Sequence, residues 1–195
     1  TYRIDGLSPE SYSINEVTSS LGATSHKATS QVDLDDSMYV SYKGIHSLAA
    51  TSSYGDFEGA FLSGKIQNSF KDFTAGRLKY AASQYVPSLN SVFFALSTGE
   101  TSQTQNDAFY IYNTKFKEWH RWPEIEAACL MLRSNNAQDQ LLFGDYNGRI
   151  NKCQIGEYSD YETDSIIYRI KTGTIYVDNN PVSVKAFKRI GFLFK

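Results

Sequence analysis

The chain has 195 residues, of which 41% are hydrophobic and 21% charged, an ordinary balance for a single globular domain. Its formal net charge of −2 excludes the strong overall positive field of a duplex-binding domain or of a protein that binds anionic membranes. The longest apolar stretches, 92–96 and 129–132, are far shorter than the roughly 20 residues of a membrane helix, so we expect no membrane insertion.

Short runs that favour β-strands follow one another along the chain. Aromatic residues reach 14%, and aromatic and β-branched residues suit a pleated, half-buried surface. The runs are 2–4, 12–17, 37–42, 92–97, 108–112, 118–122, 128–133, 140–143, 150–154, 166–171, 174–177 and 184–187. Glycine and amide residues separate many of them, as in turns between antiparallel neighbours. The sequence therefore predicts an all-β fold with one short helix.

Two of these turns stand out, at Lys43-Gly44 and at Asn147-Gly148. Each lies between apolar runs, and glycine supplies the positive φ that tight turns require. We predict that each turn joins two antiparallel strands of the same sheet.

The one segment that favours a helix lies in the middle of the chain. Apolar side chains recur there at steps of four, four and three, at Leu62, Ile66, Phe70 and Phe73. This spacing places them on one helical face, which we expect to be buried. Ser63 is the predicted N-cap, and Gly76 is predicted to close the C-terminal end.

An internal repeat indicates the architecture. Segments 36–48 and 139–152 both contain an acid, an apolar strand, an aromatic residue, a turn glycine and a second strand beginning with isoleucine. Their turn glycines lie about two periods of ~50 residues apart, the length of a kelch-type propeller blade. Segment 92–123 resembles another kelch-like blade. We therefore predict β-propeller-like blades of antiparallel strands, with approximate limits 1–55, 78–123 and 124–195.

The number of blades is small for a propeller. About three fit here, whereas closed propellers typically have 4 to 8. We expect residues 1–195 to form a single propeller-like region that is an incomplete part of a larger propeller in a longer chain. A β-sandwich with chance similarity between its hairpins is the alternative, because hairpins resemble one another for physical reasons.

One stretch resembles a nucleotide-binding motif. Residues 59–65 match the first seven positions of a phosphate-binding P-loop, but the eighth, where a hydroxyl would hold Mg²⁺, is Ile66. No hydrophobic strand leads into Gly59. We interpret the match as chance and expect no nucleotide binding.

The histidines and cysteines form no metal-binding pattern. His26, His46 and His120 are scattered, so no spacing places two imidazoles on one metal. Cys129 and Cys153 are too few for a disulfide framework and too far apart for a paired metal motif, which fits a reducing compartment. We therefore expect neither a metal nor a cofactor.

The sequence also shows no catalytic set. Asp33, Asp35 and Asp36 lack the glycine and the distal glutamate of a calcium loop, so we expect a solvated turn there. No nucleophile elbow of the Gly-x-Ser-x-Gly type occurs. We therefore expect no enzyme, although paired carboxylates for glycoside hydrolysis stay open because their separation is a tertiary property.

Two tryptophans, Trp119 and Trp122, flank His120 and Arg121. We expect both tryptophans on one face of their strand, opposite the other two side chains. Packing at a blade end between neighbouring sheets is favoured over stacking on a sugar or a base.

Several segments taken together resemble one family of proteins. They are 2–14, 20–23, 38–45, 54–56 leading to 62–63, 106–107 with 119–122, and 143–145 with 148–150. Their turn glycines, aromatic residues and apolar strands resemble those of propeller-containing virion proteins of tailed bacteriophages. The closest type is the tail hub or nozzle below the portal of short-tailed phages.

This resemblance implies a non-enzymatic structural subunit of the virion tail or neck, made in the host cytoplasm. The implied partners are further copies of the chain in a ring around the DNA exit channel, and other tail, adaptor or portal proteins. With 19 basic and 21 acidic residues, contact with DNA is expected to be at most weak and non-specific. Two other functions stay open: a carbohydrate- or receptor-binding propeller module, and a propeller-type hydrolase.

Overall fold

Antiparallel sheets make up most of the fold. The computed structural model describes residues 2–34, 36–54, 61–71, 73, 75–98, 104–135, 138–153, 159–160 and 164–165. The chain divides into two compact units, 1–155 and 156–195. Within the described residues the sheets do not close into a ring. The predicted all-β fold with blade-like antiparallel sheets is confirmed.

The first unit begins with a hairpin and a three-stranded sheet. The hairpin pairs β1 (Tyr2–Asp5) with β2 (Ser13–Glu16). The sheet has the order β3 (Thr29–Gln31), β4 (Ser37–Val40) and β5 (Ile45–Ser47). One of its faces places Met38, Val40 and Ile45 in a hydrophobic core.

Two short helices follow, α1 (Leu48–Tyr54) and α2 (Gln67–Lys71). Helix α1 was not expected, because it has no apolar periodicity. The hydroxyl of Ser47 accepts a hydrogen bond from the N–H of Ala50 (3.1 Å), and the Asp36 carboxylate accepts one from Ala49 (3.1 Å). These side chains satisfy N–H groups at the start of the helix. The expectation that Asp36 belongs to a solvated turn is therefore wrong, because its carboxylate caps helix α1.

The predicted amphipathic segment has the expected buried side but a different backbone. Phe70 and Phe73 are buried in the first core, and the half-buried Leu62 and Ile66 pack against it. Residues Leu62–Ile66, however, form a 3-10 helix that leads into α2. Glycine within this stretch disfavours a longer α-helix.

Both predicted caps of that helix are wrong. The buried Ser63 hydroxyl accepts a hydrogen bond from the N–H of Ile45 (3.0 Å). This hydroxyl, which was expected to cap the helix, therefore binds the backbone of β5 instead. Gly76 lies inside a separate 3-10 helix, Ala75–Tyr80. Further 3-10 helices are Pro9–Ser11, His26–Ala28 and Pro87–Leu89.

A four-stranded meander forms the middle of the first unit. Its strands are β6 (Ala82–Val86), β7 (Ser91–Leu96), β8 (Ala108–Asn113) and β9 (Glu118–Pro123), each paired with the next. Strands β7 and β8 are buried on both faces, which explains their nearly continuous apolar sequence. Phe94 and Tyr110 point into the first core, whereas Phe93 and Phe109 point into a second one.

A third sheet covers the second core. It consists of β10 (Cys129–Asn135), β11 (Gln138–Gly144) and β12 (Ile150–Cys153). Leu141 is buried there, and the ring of Phe143 meets that of Phe109 edge-on at 5.6 Å. The three sheets are thus stacked face to face with the meander between its neighbours, as blades are in a propeller.

The second unit contributes one described pair of strands, β13 (Ser159–Asp160) and β14 (Asp164–Ser165). The strands expected at 166–171, 174–177 and 184–187 lie outside the described residues. The blade limits 1–55, 78–123 and 124–195 stay a prediction.

Candidate functional site

The Lys43-Gly44 turn is held by an unusually dense set of polar contacts. It joins β4 to β5, with Val40 opposite Ile45, as predicted. The Ser41 hydroxyl accepts hydrogen bonds from the N–H groups of Lys43 (3.0 Å) and Gly44 (3.2 Å). Gly44 has a φ of 157°, and a Cβ atom there would lie 2.5 Å from the Ser63 hydroxyl oxygen. Only glycine fits this turn without strain.

Ser41 and His46 form a polar pair that resembles a nucleophile and its base. The serine Oγ lies 2.8 Å from the histidine Nε2. Both residues are buried, and the same hydroxyl also bonds the backbone of the turn. The imidazole stacks on Tyr39 and meets the ring of Phe61 edge-on. Since a substrate would need access to the hydroxyl, this geometry assigns the pair a structural role.

The Asn147-Gly148 turn uses the same device. It joins β11 to β12, with Gly144 opposite Ile150, as predicted. The Asp145 carboxylate accepts hydrogen bonds from the N–H groups of Asn147 (2.9 Å) and Arg149 (2.7 Å). The bond from Arg149 is the largest of the effects that hold the pKa of this carboxyl below its usual value.

The two turns explain the internal repeat in physical terms. In each, a polar side chain three residues before the glycine, Ser41 or Asp145, accepts hydrogen bonds from the turn backbone. The second turn is one residue longer. Gly148 lies two residues before Ile150, which opens β12, whereas Gly44 directly precedes Ile45, which opens β5. The repeat therefore reflects shared turn chemistry as well as shared strand pattern.

The tryptophans do not share a face, so that expectation is wrong. Because side chains alternate along β9, Trp119 and Arg121 point to one side and Trp122 to the other. Trp119 packs against the first core and its indole N–H donates to the carbonyl of Leu62 at 2.9 Å. Trp122 meets Phe93 edge-on at 5.7 Å and stays 42% exposed.

Trp119 also lies against Tyr112, with 4.9 Å between the ring centroids. Burial raises the pKa of the Tyr112 phenol, and the charge of Asp36 raises it further. The phenol is therefore kept in its neutral form, as suits a core position.

Asn106 ties the middle sheet to the third sheet. It is fully buried, and its Nδ2 donates to the carbonyls of Tyr80 (3.0 Å) and Ala127 (2.9 Å). Its backbone N–H donates to the Tyr146 hydroxyl at 3.1 Å. Nothing in the local sequence distinguishes this asparagine from one in a surface turn, so sequence reasoning missed it.

The segment that resembles a P-loop is described only in part, since residues 55–60 lie outside the described ranges. Lys65 donates to the backbone carbonyl of Lys117 at 2.9 Å. That contact joins the 3-10 helix to the turn between β8 and β9. Within the described residues no group of three or more His, Cys, Asp or Glu side chains could hold a metal ion.

The surface of the described residues includes two shallow depressions. The larger, of about 340 Å³, is lined by Tyr42, Lys43, Phe61, Gln67 and Phe70. The smaller, of about 230 Å³, is lined by His26, Lys27, Thr29, Ala82, Ser83, Cys129 and Leu130. Among the described residues, neither lining contains a carboxylate, the group that supplies general acid catalysis in glycoside hydrolysis.

Among the described residues, two sheet faces expose several apolar side chains. The first is one face of the β1–β2 hairpin, where Tyr2, Ile4 and Ile14 are each at least 65% exposed. The second is the outer face of the β10–β12 sheet, where Met131 is 56% and Ile150 80% exposed. The alternating pattern of the strands was visible in the sequence, but which apolar faces are covered is a tertiary property.

Comparison with known proteins finds no family model and no curated protein that matches the chain. Among the described residues, none of the helices has the length and apolar character needed to cross a membrane.

Proposed function

We propose that this chain is a structural subunit of a phage tail or neck, of the hub or nozzle type, which assembles as a ring around the DNA exit channel. The resemblance of its sequence to such virion proteins supports the type of particle. The observation that carries assembly is the pair of exposed apolar surfaces, on the β1–β2 hairpin and on the β10–β12 sheet.

Such surfaces are unusual on a protein that works alone. Large contiguous apolar patches on soluble proteins mark interaction sites, and exposed strand edges favour pairing with another chain. The interior of the first unit is closely packed around two cores. Other described apolar side chains are also exposed, such as Leu34 and Phe116, but they lie outside these two sheet faces. Copies of the chain, together with tail, adaptor or portal proteins, are the partners that this function requires.

Contact with DNA in this function is weak and independent of the DNA sequence. The chain has 19 basic against 21 acidic residues, so it offers few uncompensated cations to neutralise phosphates. A conduit benefits from this balance, because DNA must pass along it without being held.

A carbohydrate- or receptor-binding module is the second candidate, and one observation favours it. The larger depression combines the aromatic side chains of Tyr42, Phe61 and Phe70 with the polar Lys43 and Gln67. Aromatic faces beside hydrogen-bonding groups suit a sugar ring.

Electron microscopy of the purified full chain, combined with a glycan array, separates the two functions. The proposal predicts rings with an open centre and no glycan binding. Particles of single-chain size that bind a glycan, with binding lost in Phe61→Ala, would contradict it and favour the second candidate. Leu34→Ala, a change at an exposed apolar side chain away from the depression, serves as the control.

A further inference from the structure

The β1–β2 hairpin is amphipathic and its apolar face is uncovered. Tyr2 lies opposite Glu16 and Ile4 opposite Ile14, so these four side chains share one face. The other face is polar, and there Asn15 donates to the Asp5 carboxylate at 2.8 Å. An isolated two-stranded hairpin is at best marginally stable in water, so this one benefits from a surface that covers its apolar side.

The outer face of the β10–β12 sheet has the complementary character. Met131 lies opposite Leu142, which lies opposite Lys152, so these three side chains share that face. Arg133 and Ile150 lie on the same face by alternation along their strands. The face thus combines an apolar centre with two cations, and it carries no carboxylate among the described strand residues.

The opposite end of the stack is closed in a different way. The outer face of β3–β5 is covered by α1 and by Phe61. The Tyr39 hydroxyl lies 3.2 Å from that of Thr51, and the imidazole of His46 meets the Phe61 ring edge-on. Among the described strand residues of the two outer faces, large exposed apolar side chains lie on that of β10–β12 alone.

We propose that the β1–β2 hairpin of one copy docks its apolar face on the outer face of the β10–β12 sheet of a second copy. Tyr2, Ile4 and Ile14 then cover Met131 and Ile150, and Glu16 faces the cations Arg133 and Lys152. The occupant is a second copy because one chain carries both surfaces, and their apolar centres and opposite charges match.

This contact is head-to-tail, because it joins two different surfaces. Head-to-tail contacts generate rings where the rotation closes and filaments where it does not. The inference rests on the proposed function, since it names the contact through which the ring forms.

Two variants of the full chain test the contact. Ile14→Lys places a cation on the hairpin face, and Met131→Lys places one on the sheet face. Each residue is mostly exposed, so the fold should be retained, as circular dichroism can verify. Light scattering after size-exclusion chromatography should show that each variant alone is a monomer. Its self-association constant should be at least about tenfold smaller than that of the original chain. Leu34→Lys, at another exposed apolar side chain, should assemble as the original chain does.

Mixing the two variants gives the decisive result. Each retains one intact surface, so an equimolar mixture should form a heterodimer of one copy of each and nothing larger. A mixture that stays monomeric would overturn the head-to-tail arrangement. Rings that persist in both variants would overturn this contact but leave the proposed function standing, whereas an original chain that is monomeric throughout would overturn both.

Exchanging the charges of the two surfaces tests the same contact independently. Glu16→Lys should weaken assembly, and combining it with the exchanges Arg133→Glu and Lys152→Glu should restore it. Failure of the combined variant to recover any assembly, while it stays folded, would show that Glu16 does not face these cations.

Discussion

The indole N–H of Trp119 donates a hydrogen bond to the carbonyl oxygen of Leu62 at 2.9 Å, across 57 positions of sequence. It links the last strand of the middle sheet to the first turn of the 3-10 helix that precedes α2. The contact holds the helical segment over the first core, where the ring also packs against Tyr112.

Replacing Trp119 by Phe should therefore destabilise the fold more than the same change at Trp122. The first change removes the donor and leaves the Leu62 carbonyl without it, at a cost of about 1 to 3 kcal/mol. Trp122 is 42% exposed, so Trp122→Phe should cost below about 1 kcal/mol. Urea unfolding measures both. Equal losses would contradict the structural role given to the indole N–H.

The loss of stability on replacing glycine by alanine should differ among three positions according to their local geometry. Gly44→Ala should cost about 2 to 4 kcal/mol, because its Cβ meets the Ser63 oxygen and the backbone is strained. Gly148 has a φ of 79°, but a Cβ atom there would meet no other atom, so Gly148→Ala should cost about 1 to 2 kcal/mol. Gly76→Ala has neither problem and should be neutral or slightly stabilising. Thermal unfolding gives the order, and a Gly44→Ala protein as stable as Gly76→Ala would contradict the tight turn.

Asn106 should be the most sensitive asparagine among those described. Asn106→Ala leaves the carbonyls of Tyr80 and Ala127 without their donor, which should cost about 2 to 4 kcal/mol. Asn147→Ala, at an exposed turn position, is the matched control and should cost below about 1 kcal/mol. Hydrogen exchange should report faster opening of the β10–β12 strands in Asn106→Ala. If opening is unchanged, Asn106 does not tie the two sheets together.

Asp145 should make the turn between β11 and β12 sensitive to acid. Its pKa is lowered in the folded chain, so its stabilising contribution is present above the ordinary value of 3.8 and is lost as the pH falls through the lowered pKa. Carbon-detected NMR should show this carboxyl titrating below 3.8, and Asp145→Asn should have a flatter dependence of stability on pH in that range. A titration at or above 3.8 would contradict the hydrogen bonds assigned to it.

Much of the fold was predictable because strand patterns and turn residues are local. The runs that became β7, β8 and β9 are apolar or aromatic enough to be recognised without the structure. Strands β3 and β6 were missed, because Thr29–Gln31 and Ala82–Val86 contain mainly small or polar residues and are stabilised by pairing with β4 and β7.

The candidate site was less predictable, since it depends on tertiary contacts. Ser63 was expected to cap a helix, yet its hydroxyl bonds a strand that lies 18 positions earlier in sequence. The cap at Asp36 accepts from the N–H of Ala49, 13 positions later, a partner that becomes apparent only when β4 and β5 are paired. The amphipathic pattern of the β1–β2 hairpin could be recognised from sequence, but not the exposure of its apolar face.

Self-assembly is the central claim, and the mass of the full chain in solution tests it most directly. Native mass spectrometry over a wide range of protein concentration should show one discrete species at an integer multiple of the 22.0 kDa chain, as a closed ring requires. A single species of 22.0 kDa at every concentration would contradict the account.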